Sequence, residues 1–563
     1  MTAEGSESTG GLRERAEHWT PLAVVCSAMI ITVIDTTMMT VAISAIVADL
    51  DTSVTAVQGA ISLYALVMAA FMMLGAKLGN VYGVRRMFRI GLVIYGVGTV
   101  LAALSWNIYA LLLGWSVLEG LGAAILLPLA YAMLPILYTD PKERALAFGV
   151  LTGVLAGAAA VGPILGGTLT TYFTWRLGFA LEAVIAVPTF FFAARLAEYR
   201  PEEGASIDVV GTALSVLGLG TLVVGVLLSG RYGWWGAIRP FSVAGVELGL
   251  LGLSPTPILV AAGLSLLVGF LHWQRIRERR GETPLVKTSI FGNGAYLAGL
   301  STYFVSWIAL GGILFVLPVF LQGALGYTAF DTGVALLPFS LSVFVVSIGT
   351  AKFTHSVGGK RLIQLGVGVL ALGLAALFVV TSVAMTTVEL VVPLLLVGVG
   401  IGLVLANIVN LTLSTVEAEE TMEASGVSMA VNWLGTSVGT AVVGSFMLTA
   451  TYGSVVDQIL SSVGLGVGTA SRRELVVLLQ DATEFLTMAE RQALLAQLPA
   501  EVQQALAGIV EQAMVQGFRN TVLLVGVFVI LLGLTSTFLP TGKAQVQPAE
   551  PTPPDVVPDR ADD

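Results

Sequence analysis

Apolar residues in this chain fall in long unbroken blocks, not in alternating or every-third-position stripes. Fourteen blocks are long enough to cross a membrane as helices, which takes about 20 mostly apolar residues. They run over 21–47, 54–76, 87–105, 108–137, 146–171, 177–196, 209–229, 253–272, 293–318, 332–351, 362–384, 389–413, 424–448 and 519–540. The pattern predicts an all-α integral membrane protein. Two stretches break it. Residues 449–518 carry apolar positions at helical spacing (Leu475, Leu478, Leu479; Leu494, Leu495, Leu498), which predicts two or three short amphipathic helices on the membrane surface. Residues 541–563 are rich in proline and acids and read as a disordered tail.

Composition sharpens this picture. Of 563 residues, 56% are hydrophobic and only 11% charged, against about 25% charged in a soluble domain. That excludes a soluble enzyme and a disordered chain. The net charge of −9 excludes a basic surface for nucleic acid. One cysteine, Cys26, excludes an internal disulfide framework and a cysteine metal site. No phosphate-binding loop of the Gly-x4-Gly-Lys type occurs, so no nucleotide is expected, and no cofactor. Gly435-Thr-Ser437-Val-Gly439 matches a hydrolase nucleophile pattern, but it falls inside the thirteenth span with no histidine at that depth.

The basic residues are unevenly shared. With fourteen spans both termini lie on one side, and that side holds 20 of the 27 Lys and Arg; the other holds 7. The positive-inside rule then places both termini in the cytoplasm of a cell membrane. The loop after span 2 contains Lys77, Gly83, Arg85 and Arg86; the loop after span 10 contains Lys352, Gly358, Lys360 and Arg361, at a constant offset of 275 residues. This predicts two parallel six-helix halves. The expected division is a tail (1–20), a first half (21–197), an inserted two-helix region (198–290), five helices of the second half (291–448), the outer loop (449–518), the last span (519–540) and a tail (541–563).

Span 5 carries Gly149, Gly153 and Gly157, then Gly162-Pro163-Ile-Leu-Gly166-Gly167. The glycines suit close helix approach and the proline loosens the helix, a combination expected at a gate. The loop Lys77-Leu-Gly-Asn80-Val-Tyr-Gly83-Val-Arg85-Arg86 has a tight turn beside a basic pair expected at the lipid head groups. Asp35-Thr-Thr-Met-Met, Pro141-Lys-Glu-Arg144, Trp175-Arg176 and Leu321-Gln322-Gly-Ala-Leu-Gly326 follow in a fixed order. With these motifs the chain resembles the major facilitator superfamily, in its fourteen-span drug:proton antiporter branch. The resemblance covers about residues 20–450 and 519–540. It implies alternating access, gating roles for Asn80, Gly83, Arg85, Arg86, Gly157, Gly162, Pro163, Gly166 and Gly167, and the proton gradient as energy source. Two departures stand out. The family's gate loop has Asp where this chain has Asn80. The family's span-4 motif has Arg and Gln where this chain has Ser116 and Glu119.

Ionisable groups within spans are costly and mark function. Three stand out, Asp35, Glu119 and Glu182, and no Lys, Arg or His lies clearly within a span to pair with them. Low dielectric favours the protonated form of a carboxylate, so such a site can exchange a proton for a cation. Counting residues puts Asp35 and Glu119 deep and Glu182 near the outer interface. Helical spacing gives Thr32, Met38 and Met39 as neighbours of Asp35, and Trp115, Ser116 and Gly122 as neighbours of Glu119. Tyr64, Trp307, Asn407, Asn410 and Trp433 are further cavity candidates. Methionine and aromatic side chains suit an adaptable pocket and attract cations. The expected activity is export of hydrophobic, cationic compounds in exchange for protons by a monomer in the lipid bilayer. The alternatives are an exporter of a lipid, siderophore or metabolite, or a non-transporting scaffold or sensor.

Overall fold

The computed structural model describes residues 4–196, 206–243, 246–248, 252–417, 420–462, 468–485, 494 and 496–540. The predicted tail 541–563 lies outside the described residues. Fourteen helices are long and apolar enough to cross a membrane. They are His18–Met39, Val54–Tyr82, Val84–Ala103, Ile108–Leu134, Lys142–Tyr172, Arg176–Arg195, Val209–Tyr232, Pro255–Arg279, Gly294–Leu325, Ala329–Thr350, Gly359–Val380, Thr387–Leu413, Glu423–Ser462 and Ala500–Thr537. We call these spans 1–14. Both described chain ends lie on one side of the bundle, the near side; the other is the far side.

The predicted span boundaries hold at most positions and fail where polar chain continues a helix. Span 1 stops at Met39, and a separate turn, Ile43–Asp49, follows the break. Span 13 belongs to one helix, Thr421–Ser462, that continues well past the predicted end. Span 14 belongs to a helix that begins at Ala500. Of the short amphipathic helices expected between them, Thr469–Phe485 is present among the described residues, and most of the stretch around Leu494 and Leu495 lies outside them. Arg472 ties it to Asp457 through two hydrogen bonds of 2.5 and 2.7 Å. The region between spans 7 and 8 adds the only sheet among the described residues, a hairpin of Phe241–Val243 with Val246–Leu248.

The two halves repeat in contacts as well as in sequence. Gly83 and Gly358 both take positive φ, 92° and 90°, where a side chain would be strained. Just after each, a cation closes the near end of its half's last span. Arg85 donates to the Leu196 carbonyl (3.2 Å); Lys360 donates to the Thr537 and Leu539 carbonyls (2.7 Å each). The far ends match too. Arg176 donates to the Ser105 carbonyl and Arg519 to the Thr381 carbonyl, both at 2.7 Å. Cations on the last carbonyls of a helix satisfy orphan acceptors and oppose the dipole. Arg85 is therefore a helix clamp rather than a plain head-group anchor, while Arg86 is exposed.

Spans 2 and 13 form one seam between the halves. The Gln58 amide donates to the Thr440 and Ala441 carbonyls (2.8 and 3.0 Å), and Ser437 donates to the Ser62 carbonyl (2.7 Å). The inserted span 7 packs on this seam: Leu219 and Val223 are buried with Leu66 and Ala70 of span 2, against Leu434 and Val438 of span 13. Asp208 joins the pair of inserted helices at the near side, accepting from Trp273 (2.9 Å) and Gln274 (2.7 Å).

Candidate functional site

Span 4 is not uniformly α-helical. Residues Leu112–Glu119 wind as a π-helix between two α-helical segments. Such widened turns recur at functional sites because they turn side chains off the regular spacing. Here the turn carries Trp115, Ser116 and Glu119, all buried. Glycines let span 3 lie directly against it. A Cβ on Gly98 would strike the backbone of Glu119, and one on Gly122 the backbone of Tyr95.

This packing gathers the three acids. One carboxylate oxygen from each of Asp35, Glu119 and Glu182 lies within 4.8 Å of the others. Their residue exposures are 0%, 0% and 1%, so the site is shut off from water. Asp35 Oδ2 accepts from the Trp115 indole (3.0 Å), and Glu182 Oε2 accepts from the Tyr95 hydroxyl (3.1 Å). Asp35 Oδ1, Glu182 Oε1 and both Glu119 oxygens are buried with no hydrogen-bond partner. Among the described residues, no Lys, Arg or His pairs with any of the three. Sequence counting placed Glu182 near the outer interface; it is buried in the cluster beside Asp35 and Glu119.

The other predicted residues separate into groups. Tyr64 stacks on Trp115 (centroids 5.7 Å apart, 29°) and meets Trp433 edge-on (6.0 Å), forming an aromatic wall beside Asp35. Its hydroxyl is buried and faces the Asp35 carboxyl. Trp307 belongs elsewhere, against Tyr303 (6.1 Å), whose hydroxyl accepts from Asn432 (3.2 Å). Ser116 is spent on the Ala60 carbonyl (2.8 Å) and Thr32 on the Met29 carbonyl (2.9 Å). Asn407 donates to the Leu403 carbonyl (2.8 Å), and Asn410 is exposed. Met39 is buried in the main core, and Met38 packs over Gly166 and Gly178. Tyr95 and Gln58 were missed by sequence reasoning. A tyrosine between Gly91 and Gly98 in mid-span was the available signal for Tyr95.

The glycines of span 5 divide at mid-membrane. Gly162 lies against Thr37, Gly166 against Met38, and Gly167 against the Ala329–Phe330 backbone; Gly333 of span 10 lies against the Pro163 carbonyl. Phe330 N–H also donates to Thr171 (2.9 Å). These contacts hold spans 1, 5 and 10 together at their far ends. A Cβ on Gly149, Gly153 or Gly157 would meet nothing within 4 Å. The expected close approach along the whole motif is thus absent from its near half. Asn80, expected in a loop, is half-buried in the last turn of the span 2 helix, which runs to Tyr82. Gly435 and Gly439 lie against the span 9 backbone at Phe304 and Ile308, so this pattern serves packing.

Two repeated six-helix halves with an inserted pair, closed around buried acids, are the architecture of a polytopic membrane transporter. Residues 25–440 match the Major Facilitator Superfamily, and the chain belongs to that superfamily. It is a transporter, not an enzyme. It is 31% identical over 480 residues to the probable actinorhodin transporter of Streptomyces coelicolor, covering 83% of this chain and 78% of that one. It is 28% identical over 458 residues to the multidrug efflux pump LfrA of Mycolicibacterium smegmatis, covering 81% and 85%. A bacterial homolog of the human lysosomal transporter Spinster, solved inward-facing and unoccupied, shares the fold at TM-score 0.56 and 16% identity, covering 93% of this chain and 98% of that one.

Proposed function

We propose that this transporter exports amphipathic, cationic organic compounds in exchange for protons, with Asp35, Glu119 and Glu182 as the shared site. One observation carries this reading: three carboxylates from spans 1, 4 and 6 converge within 4.8 Å, fully buried, with no basic partner among the described residues. Two negative charges at that separation repel by at least about 3.5 kcal/mol at an effective dielectric constant of about 20. The cluster is therefore unfavourable as three anions. Protons or an entering cation relieve it, and the two compete. The wall of Trp115, Tyr64 and Trp433 offers ring faces to an organic cation beside Asp35. The export direction and the drug-like substrate rest on the named relatives, a multidrug efflux pump and a probable actinorhodin transporter.

On this reading the near side is the cytoplasm, following the 20:7 distribution of Lys and Arg. The glycine contacts of spans 5 and 10 then form the outer seal, and the open near half of span 5 borders the route from the cytoplasm. Proton movement down 100 mV supplies about 2.3 kcal/mol per charge.

The test is substrate-driven proton release from vesicles holding the purified full-length protein, across a panel of cationic dyes. Addition of dye is expected to release protons in proportion to the dye transported. Dye transport with no proton movement overturns the exchange reading.

A further inference from the structure

A cavity lies away from the acids, at the near end of spans 3 and 6. It has a volume of about 710 Å³ and is lined by Tyr82, Arg85, Arg86, Arg89, Ile90, Val93, Ile94 and Phe190. Three guanidinium groups and no carboxylate face it. Arg85 is committed to the end of span 6, and the Arg89 guanidinium lies over the Phe190 ring at 4.5 Å. Arg86 is exposed. Above the arginines the wall turns apolar, and it continues as a stripe up the outside of span 3. Ile90, Val93, Val97 and Val100 are exposed at 38%, 49%, 55% and 46%, spaced so that they share one helix face. Basic residues at one end of a groove and an exposed apolar track at the other match the two parts of one amphipathic anion.

The geometry points to a binding site for an anionic phospholipid, its phosphate diester between Arg86 and Arg89 and one acyl chain along Ile90, Val93 and Val97. Guanidinium groups recognise phosphate oxygens through charge-assisted hydrogen bonds. A free phosphate ion would leave the apolar half of the groove empty. A zwitterionic lipid would bring a positive choline or amine into a groove that already holds three guanidiniums. The position is the head-group level of a peripheral pair of spans, where lipid has direct access. The inference does not depend on the transported substrate. It names a fixed lipid ligand on the outer wall of the first half, about one helix away from the acid cluster through Glu182 of span 6.

Native mass spectrometry of the full-length protein in detergent tests it, with phosphatidylglycerol, phosphatidylcholine of the same chains, and glycerol phosphate as probes. A surface arginine contributes about fivefold to affinity for anionic lipid. Arg86→Gln with Arg89→Gln is therefore expected to weaken phosphatidylglycerol binding roughly thirtyfold and leave phosphatidylcholine unchanged. Val93→Gln with Val97→Gln is expected to weaken phosphatidylglycerol without touching the arginines, and this second variant keeps the test open if the first fails to fold. Arg279→Gln with Arg280→Gln, exposed basic residues outside the groove, is expected to leave binding as in the wild type. The site is overturned if the groove arginine variant retains phosphatidylglycerol fully, or if the Arg279 and Arg280 variant loses as much. Glycerol phosphate binding as tightly as phosphatidylglycerol, with no effect of the valine variants, assigns the groove to a soluble anion instead.

Discussion

The two halves share a frame and differ in what they enclose. Contact pairs give the correspondence: Gly98 meets Glu119 as Gly373 meets Val397, and Gly122 meets Tyr95 as Gly400 meets Leu370. Glu182 stands six residues after Arg176, and Val525 six after Arg519. The offset of the repeat pairs Asp35 with Leu310. Leu310, Leu370, Val397 and Val525 surround one small void of about 10 Å³ in the second half. The place that holds three carboxylates and a tyrosine in the first half is thus a plain aliphatic core in the second. One frame supports either a well-packed apolar centre or an unstable polar one. The polar version is therefore not required by the fold, and this is the physical case for assigning it a function.

The largest effect is expected from removing the difference. Asp35→Asn, Glu119→Gln and Glu182→Gln should each abolish most substrate-driven proton release in vesicles, whereas the mirror change Leu310→Met should leave it intact. Full coupling in all three acid variants would move the proton site elsewhere. Exchanging the residues across the repeat sharpens the point energetically. Val397→Glu buries an unpartnered polar group at a cost of about 2–7 kcal/mol and should lower the melting temperature in detergent. Glu119→Val removes such a group and should raise it while ending coupling. A lower melting temperature for Glu119→Val would mean that the cluster is structural. The smallest effect concerns the span 5 glycines. Gly167→Ala and Gly333→Ala add a methyl against backbone, an overpacking cost of about 1–3 kcal/mol that falls on the sealed form alone. Cysteine labelling at the far side should then increase. Gly153→Ala meets nothing and should change labelling little, with a gain in helix stability of up to about 1 kcal/mol.

Much of this fold was legible because hydrocarbon imposes a simple rule on the sequence. Fourteen apolar blocks became fourteen helices, and a basic loop repeated at constant spacing became two glycine turns with the same φ. The joining of 500–518 to span 14 was not legible, since the helical spacing of Val502, Leu506, Ile509, Val510 and Met514 marks an amphipathic helix but not its unbroken run into the span. The acids were legible as residue types out of place. Their convergence was not, because the π-helical turn in span 4 has no sequence marker and the Trp115–Asp35 hydrogen bond joins two different spans. Helical spacing gave Trp115 only as a neighbour of Glu119 on its own span. Depth counting likewise failed for Glu182, and glycine spacing overstated packing at Gly149, Gly153 and Gly157. Spacing shows which residues share a face, but not what stands opposite.

The seam of spans 2 and 13 has a mechanical consequence. Gln58 and Ser437 bridge it through backbone carbonyls, and span 7 is glued along the same line. Sliding the halves along this line would break buried hydrogen bonds, each costing about 1–3 kcal/mol when left unmade. Turning about it keeps them. The opposite edge, at spans 5 and 10, is held by glycine and backbone contacts, with no buried ion pair to break among the described residues. On the proposed reading the molecule works like a book with a sewn spine and a loose fore-edge, swinging at spans 5 and 10 rather than shearing.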